Sequence, residues 1–244
     1  MTTLRMEDLE EGTPRNWVVL LYGQPFSGKT HFLREVPRPL KVHDFDSKIE
    51  PLFGQKDITV ESYDSKEVKT STAEYARFQK NWKKDLEDPE IKTIALDSLT
   101  TLDIILLRHA VMLDGRDPMS SPMIQHYGTH LNEMKYFFKF KVSNVTDKNI
   151  FILCHEHYHI DDESKMHSVT PLITGNKILT HLPAFFKDVW HLESKDSKTR
   201  ILHWLKYRRH LAGSINLAGG GSMEDPSFDK ILKEVEGRKQ QGKG

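Results

Sequence analysis

Short apolar runs alternate with longer segments in which apolar residues recur at helical spacing. The runs at 17–22 and 92–97 have the composition of strands buried on both faces, and further short strands are predicted at 40–45, where acidic residues end the strand, at 58–60 and at 149–154. The segments of helical spacing cover residues 31–36, 72–86, 99–113, 123–145 and 178–186. Strands that alternate with helices predict an α/β fold, with a mainly parallel sheet covered by helices on both faces.

The second half of the chain is less regular. A polar segment, residues 155–175, is predicted to hold a hairpin, and residues 189–192 and 200–205 have strand character. The glycine run at 219–222 predicts a flexible linker, and residues 226–240 predict a helix whose apolar stripe docks on its own domain or on a partner. We therefore expect a lead-in at 1–16, one main domain at 17–217 and a glycine linker with a C-terminal helix and tail at 218–244.

Composition narrows the range of partners. Among 244 residues, 35 lysines and arginines balance 35 aspartates and glutamates, so nucleic-acid binding would require a local basic patch. Cys154 is the only cysteine, which rules out an intrachain disulfide and favours a reducing compartment. The N-terminus lacks the apolar run of a signal peptide, and no apolar stretch is long enough to span a bilayer. We expect a soluble, cytoplasmic protein with no membrane partner.

The first strand-like run leads into a pattern that binds phosphate. It consists of Gly23, Gln24, Pro25, Phe26, Ser27, Gly28, Lys29 and Thr30. Glycines allow successive backbone N–H groups to point at phosphate oxygens, and a helix N-terminus adds positive potential. Lys29 would reach the β- and γ-phosphates, and the Thr30 hydroxyl would ligate magnesium. The loop therefore predicts ATP and Mg²⁺ as ligands.

Acidic residues and a histidine follow three other predicted strands. Asp97 would hold a magnesium-bound water, although Asp97 or Ser98 could instead cap the next helix. Asp46 and Asp44 are candidates for the group that activates the attacking water. His155, next to Glu156, could sense the γ-phosphate. The alternative for each of these strand-end charges is a solvated side chain without a catalytic role.

At these residues the chain resembles the phage RecA-like recombination ATPases of the Sak-four type, over about residues 17–212. The resemblance rests on the phosphate loop and on five further segments: 42–47 (VHDFDS), 94–100 (IALDSLT), 151–156 (FILCHE), 171–175 (PLITG) and 182–186 (LPAFF). It implies a RecA-like core that assembles head to tail as a homo-oligomer, with ATP between neighbours. It also implies action on single-stranded DNA, often beside a single-stranded-DNA-binding protein, in the host cytoplasm if the protein is phage-encoded.

The resemblance also implies residue roles. Asp46, with Asp44 as the alternative, maps onto the residue that activates water, and His155 maps onto the residue that senses γ-phosphate. The segment 157–174 maps loosely onto a DNA-contacting loop. Two residues depart from the family pattern, because Asp46 stands where a glutamate is usual and His155 where a glutamine is common.

Three further patterns carry alternatives. His155, His157 and His159 alternate as zinc ligands on one strand face would, with Asp161 or Asp162 as an oxygen donor, or they belong to a polar hairpin. In the basic stretch 206–210, Arg208 is the first candidate for a cation that reaches a neighbour's γ-phosphate, and Lys206 is the second. The same stretch could instead contact DNA phosphate or form a solvated strand end. The aromatic and lysine residues of 136–141 form either a base-stacking surface or part of the core.

The function that fits these patterns best is a magnesium-dependent ATPase that oligomerises and acts on single-stranded DNA. Two alternatives are a P-loop ATPase that regulates a protein partner without contacting DNA, and a nucleotide or small-molecule kinase. The kinase is disfavoured because the chain has no evident arginine-rich lid.

Overall fold

The computed structural model of the chain, which describes residues 16–63, 68–160, 167–207, 210–217 and 221–241, contains one ten-stranded sheet. The sequence did not predict its short strands at 213–214 and 222–224, the second of which begins at the end of the expected linker. The strands are β1 (Val18–Gly23), β2 (Leu40–Asp44), β3 (Ile58–Ser62), β4 (Thr93–Asp97), β5 (Asn149–Ile160), β6 (His167–Pro171), β7 (Asp188–Ser194), β8 (Arg200–His203), β9 (Gly213–Ser214) and β10 (Ser222–Glu224). Their spatial order is β10-β8-β7-β1-β5-β4-β2-β3, with β6 paired to β5 and β9 paired to β7.

The strands from β7 through β3 in this order run parallel, whereas β6, β8, β9 and β10 pair antiparallel at the margins. The α/β fold with a mainly parallel sheet is therefore confirmed. The helices are α1 (Lys29–Phe32), α2 (Val68–Glu87), α3 (Leu99–Leu113), α4 (Ile124–Tyr136), α5 (Asn176–His181) and α6 (Phe228–Gln241).

The central strand explains why both faces of the sheet are covered. In β1, Val18, Leu20 and Tyr22 enter one apolar cluster with residues of α2, α3 and α4. Val19 and Leu21, on the other face, enter a second cluster with residues of α1 and α6. Because alternate side chains of a strand point to opposite faces, a continuous apolar run supplies both clusters.

Two helices differ from the sequence expectation. The helix expected at 31–36 begins earlier, at Lys29, and ends at Phe32, followed by turns up to the prolines. The helix expected at 123–145 is α-helical only to Tyr136 and continues as a π-helical segment, Phe137–Ser143. In the stretch 136–141, Phe137 and Phe138 are buried in the core, whereas Tyr136 and Phe140 are exposed, so the core interpretation holds for Phe137 and Phe138.

The C-terminal segment packs on the sheet. Strand β10 pairs with β8, and Phe228, Ile231 and Val235 of α6 are buried in the second apolar cluster. The apolar stripe on α6 therefore docks on its own domain. The boundaries expected at residues 16/17 and 217/218 stay a prediction. None of the helices in the described ranges has the length and apolarity needed to cross a membrane.

Candidate functional site

The register of the parallel strands brings the sequence-predicted residues to one edge of the sheet. Gly23 at the end of β1 is opposite His155 in β5, and Asp44 at the end of β2 is opposite Asp97 in β4. Strand β5 lies between β1 and β4. The carboxyl ends of parallel strands are where α/β folds bind ligands, so this edge is the candidate site.

The loop after β1 has a tight backbone that requires glycine at two positions. A Cβ on Gly23 would lie 2.2 Å from the backbone oxygen of Leu192, and Gly28 has a φ of 95°. Phe26, with a φ of 66°, turns its ring outward and is 92% exposed. The backbone between β1 and α1 therefore turns back on itself and forms a tight loop.

Lys29 fills the centre of this loop. Its Nζ donates to the backbone oxygens of Gly23 at 2.9 Å and Gln24 at 2.8 Å. Burial lowers the pKa of Lys29, although Asp97 and other acids nearby oppose the shift. The Ser27 hydroxyl in the same loop is buried and has no hydrogen-bond partner among the residues that the structure describes. A buried cation and an orphaned hydroxyl inside a curled loop fit an anionic group such as phosphate.

Thr30 and Asp97 form the second part of the site. The Thr30 hydroxyl donates to Asp97 Oδ2 at 2.6 Å. Asp97 is 5% exposed, and burial raises its pKa to about 6 against the hydrogen bond from Thr30. A hydroxyl and a carboxylate are the oxygen ligands that Mg²⁺ prefers, so the donor set fits that cation. The capping role falls to Ser98, whose hydroxyl accepts from the backbone N–H of Thr101 at 3.4 Å.

Asp46 lies beside these residues with both oxygens engaged. Its Oδ1 accepts hydrogen bonds from the hydroxyls of Ser98, at 3.0 Å, and Thr101. Its Oδ2 lies 3.2 Å from His155 Nε2. Burial alone would raise the pKa of Asp46, but the hydrogen bonds from His155, Thr101 and Ser98 outweigh it and hold the pKa below its ordinary value. Asp46 is therefore ionised near neutral pH.

Asp44 has a different environment. Its Oδ1 accepts from the backbone N–H groups of Asp46 at 3.1 Å and Ser47 at 2.9 Å, and its Oδ2 accepts from the Ser62 hydroxyl at 3.1 Å. Burial raises its pKa despite these bonds. Asp44 is thus the carboxyl that shapes the turn after β2, and it presents Asp46 to the site.

Glu156 is turned away from Asp46. Its Oε2 lies 2.8 Å from His191 Nε2 in β7, and the hydrogen bonding and charge of His191 outweigh burial to lower the pKa of Glu156. The side chain of Gln24 in the phosphate loop also interacts with Glu156. His155 and Glu156 therefore divide between the two sides of β5.

The phosphate loop and the acidic residues border a common cavity of about 430 Å³. Its lining includes Lys29, Thr30, Asp46, Lys48, Asp97 and His155. The size is within the range of small-molecule sites. Sequence reasoning missed Lys48, Ser98 and Thr101 as parts of the site. The signal that would have found Ser98 and Thr101 is the pair of hydroxyl residues directly after Asp97 and in the first turn of α3.

The basic residues of the stretch 206–210 are not among the described residues that line this cavity. Arg208 lies outside the described residues, as does Arg209. Lys206 is exposed. Tyr207 stacks on His203 with ring centroids 4.3 Å apart, and the His210 ring is 4.2 Å from that of His191.

The histidine-rich strand does not form a zinc site in the described ranges. His155 faces Asp46, whereas the rings of His157 and His159 stack on each other 6.1 Å apart. No group of three histidine, cysteine or acidic side chains in these ranges is placed to hold a metal ion. Asp161 and Asp162 lie outside them. The hairpin interpretation is confirmed, because β5 and β6 pair antiparallel, from Glu156 opposite Pro171 to Ile160 opposite His167.

Comparison with known proteins gives one result that bears on this geometry. A family model described as an AAA domain matches residues 15–214, which is most of the chain. The curated proteins gave no match.

Proposed function

Because the chain belongs to the AAA-domain family of P-loop ATPases, we propose that it binds ATP with Mg²⁺ and hydrolyses it to act on single-stranded DNA as a homo-oligomer of the phage recombination type. The observation that carries the ATPase part is the shared cavity, in which the buried Lys29, the Thr30–Asp97 pair and the ionised Asp46 lie together.

Lys29 and the loop amides would bind the phosphate chain. The Lys29 ammonium is held by two backbone oxygens, Gly23 O and Gln24 O, and can exchange them for phosphate oxygens without leaving the loop. Thr30 and Asp97 would hold Mg²⁺ through their oxygens. Magnesium, when bound, neutralises the charge that develops on the β- and γ-phosphates.

Asp46 is the residue that we assign to water activation. Its carboxylate is ionised, and hydrogen bonds from Ser98, Thr101 and His155 fix its orientation. The carboxylate would accept the proton of the attacking water at a carboxyl oxygen. Asp44 is the weaker candidate because, unlike Asp46, it does not line the cavity that Lys29, Thr30 and Asp97 border.

His155 would report the state of the γ-phosphate. Its Nε2 bonds to Asp46, and its backbone N–H donates to the Thr100 hydroxyl at 3.0 Å. Strand β5 continues from His155 into the β5–β6 hairpin, where His157, Tyr158 and His159 are exposed. A shift of His155 toward phosphate would therefore act on the hairpin that we assign to DNA contact.

Assembly into an oligomer is supported by the exposed aromatic at the cavity. Phe26 lines the cavity and is 92% exposed, so a neighbouring copy that covered it would also close the site. Arg208, or else Lys206, is the cation that we assign to a neighbour's γ-phosphate. A single copy would then hold half of an active site.

Steady-state ATP turnover with and without single-stranded DNA tests the DNA part of the proposal. We expect DNA to stimulate turnover. For each tenfold rise in salt concentration, the DNA association constant should fall by about 0.7 log units per neutralised phosphate. An ATP turnover rate that is the same with and without DNA, together with no DNA binding at low salt, would instead favour an ATPase that regulates a protein partner.

A mixing experiment tests the shared site. Lys29→Ala and Arg208→Ala should each be inactive, but mixed interfaces can join an intact phosphate loop to an intact cation. Partial recovery of turnover on mixing is expected. No recovery, with wild-type activity strictly proportional to protein concentration, would indicate a monomeric ATPase.

A further inference from the structure

Two aromatic rings stay exposed where α4 passes into the π-helical segment. Tyr136, the last residue of α4, is 52% exposed, and Phe140 in the π-helical segment is 56% exposed. Their ring centroids are 5.1 Å apart, with the planes inclined at 45°. Residues four apart on a helix share a face, so the two rings form one aromatic surface, which we call the aromatic pair.

The backbone beneath the aromatic pair is anchored on α2. Trp82, which is buried, donates from Nε1 to the backbone oxygen of Lys141 at 3.1 Å. Phe137 lies between the two exposed rings in the sequence, and its ring centroid is 5.7 Å from that of Phe78 and 5.3 Å from that of Trp82. The exposed rings therefore extend from a segment that the core holds in place.

Lysines lie next to the aromatic pair. Lys139 is exposed and lies directly before Phe140 in the sequence. The Nζ of Lys141 lies 5.9 Å from the centroid of the Tyr136 ring. This distance is within the range of a cation–π contact, so aromatic surface and positive charge adjoin here.

A narrow cleft connects the aromatic pair with α2. Gln79 of α2, Lys141 and one ring of the aromatic pair are among the residues that line it. Lys83 follows Gln79 by one turn on the same face of α2, and Lys80 and Lys83 are both exposed, as is the acidic Glu87 one turn further on. Lysines thus lie on both sides of the cleft and form the local basic patch that a chain without net charge needs to bind nucleic acid.

Lysines beside exposed rings favour a nucleic acid over a protein as the partner. Protein interfaces are enriched in aromatic residues but depleted in lysine. Surfaces that bind single strands combine the two, because the rings stack on bases and the cations follow the phosphates. The bases of a duplex are already stacked on each other, so exposed rings select unpaired bases.

We propose that this surface binds a single-stranded nucleic acid, with the aromatic pair stacked on bases and the phosphates bound by Lys80, Lys83, Lys139 and Lys141. The described lining of the cavity at the phosphate loop includes none of these residues. The surface precedes β5 in the chain, whereas the β5–β6 hairpin begins in the second half of β5. The assignment rests on the proposed DNA partner and adds a second contact to the one that we assign to the hairpin.

Binding of a fluorescently labelled deoxythymidine oligonucleotide to the full chain without ATP, measured over a range of salt concentrations, tests the proposal. Phe140→Ala should weaken binding by about 5- to 100-fold, the loss expected when one stacked base loses its ring, and the salt dependence should stay unchanged. Lys139→Gln should instead lower the slope of log affinity against log salt by about 0.7. Tyr136→Phe keeps the ring and should bind as wild type does.

Tyr127→Ala is the matched control. Tyr127 is an exposed ring of the same helix, and it lies about two and a half turns before Tyr136, hence on the opposite face. Its loss should leave binding unchanged. The thermal transition of Phe140→Ala should match that of wild type, because the ring is exposed; if that variant does not fold, the salt slope of Lys139→Gln decides the question.

Wild-type affinity and salt slope in both Phe140→Ala and Lys139→Gln would overturn the proposal. If Tyr158→Ala in the hairpin weakens binding while those two variants do not, the proposed DNA partner stands without this surface. A wild-type chain that binds no oligonucleotide at low salt would overturn both. A Phe140→Ala variant that binds normally but changes the oligomeric state in light scattering would assign the aromatic pair to a contact between subunits.

Discussion

Replacing Asp97 by asparagine should stabilise the protein without nucleotide while it disables the magnesium site. Burial raises the pKa of Asp97 from 3.8 to about 6. A raised carboxyl pKa means that its favourable contribution to folding is fully present below about pH 3.8 and is lost as the pH rises through about 6. The shift of about two units corresponds to about 3 kcal/mol at neutral pH. An asparagine side chain carries no charge, so the variant avoids that loss.

Urea denaturation of both proteins without nucleotide, at about pH 4 and about pH 7.5, measures the effect. The stability of Asp97→Asn relative to wild type should rise by about 2–3 kcal/mol between the two pH values. The similar shift at Asp188, to about 6, is common to both proteins and cancels in the difference. A stability difference that is the same at both pH values would refute the assignment of a raised pKa to Asp97. Saturating Mg²⁺-ATP should stabilise wild type more than the variant.

Further variants test other parts of the structure. Lys29→Ala should weaken ATP binding and abolish turnover while the thermal transition persists, because the hydrogen bonds of the Lys29 ammonium are to two backbone oxygens of its own loop; calorimetry and a turnover assay check this. Gly23→Ala should destabilise the fold and impair ATP binding, since its Cβ would meet the oxygen of Leu192 at 2.2 Å, and a stable, active variant would contradict the loop geometry. Phe228→Ala should cost about 3–5 kcal/mol in urea denaturation, because its ring packs edge-on against Trp17; a loss below about 1 kcal/mol would mean that α6 is not docked.

The sequence predicts the parallel sheet and the phosphate loop well, because both depend on local patterns. A strand buried on both faces needs a continuous apolar run, and β1, β4 and the first half of β5 have one. The glycines at positions 23 and 28 are required by a close approach and a positive φ that the motif already implies. The AAA-domain match over 15–214 agrees with these elements.

Contacts between distant segments could not be predicted in the same way. His155 and Asp46 are 109 residues apart, and only the strand order brings them within 3.2 Å. That contact and the hydrogen bonds from Ser98 and Thr101 give Asp46 different partners from Asp44, the two residues that the sequence left as alternatives. The shortness of α1 was also unpredictable, because the apolar residues after Phe32 belong to turns that still face the core.

Parallel measurement of Mg²⁺-ATP affinity and turnover in wild type, Asp46→Asn and Asp44→Asn tests the proposed active site most directly. An asparagine at position 44 still accepts the two backbone N–H groups of the turn, so Asp44→Asn should keep most of its turnover. Asp46→Asn should bind ATP as wild type does and lose about 10²–10⁴-fold in turnover, because a neutral amide cannot accept the proton of water. Full turnover in Asp46→Asn, or a wild-type protein that binds ATP without hydrolysing it, would contradict the assignment of Asp46 as the residue that activates water.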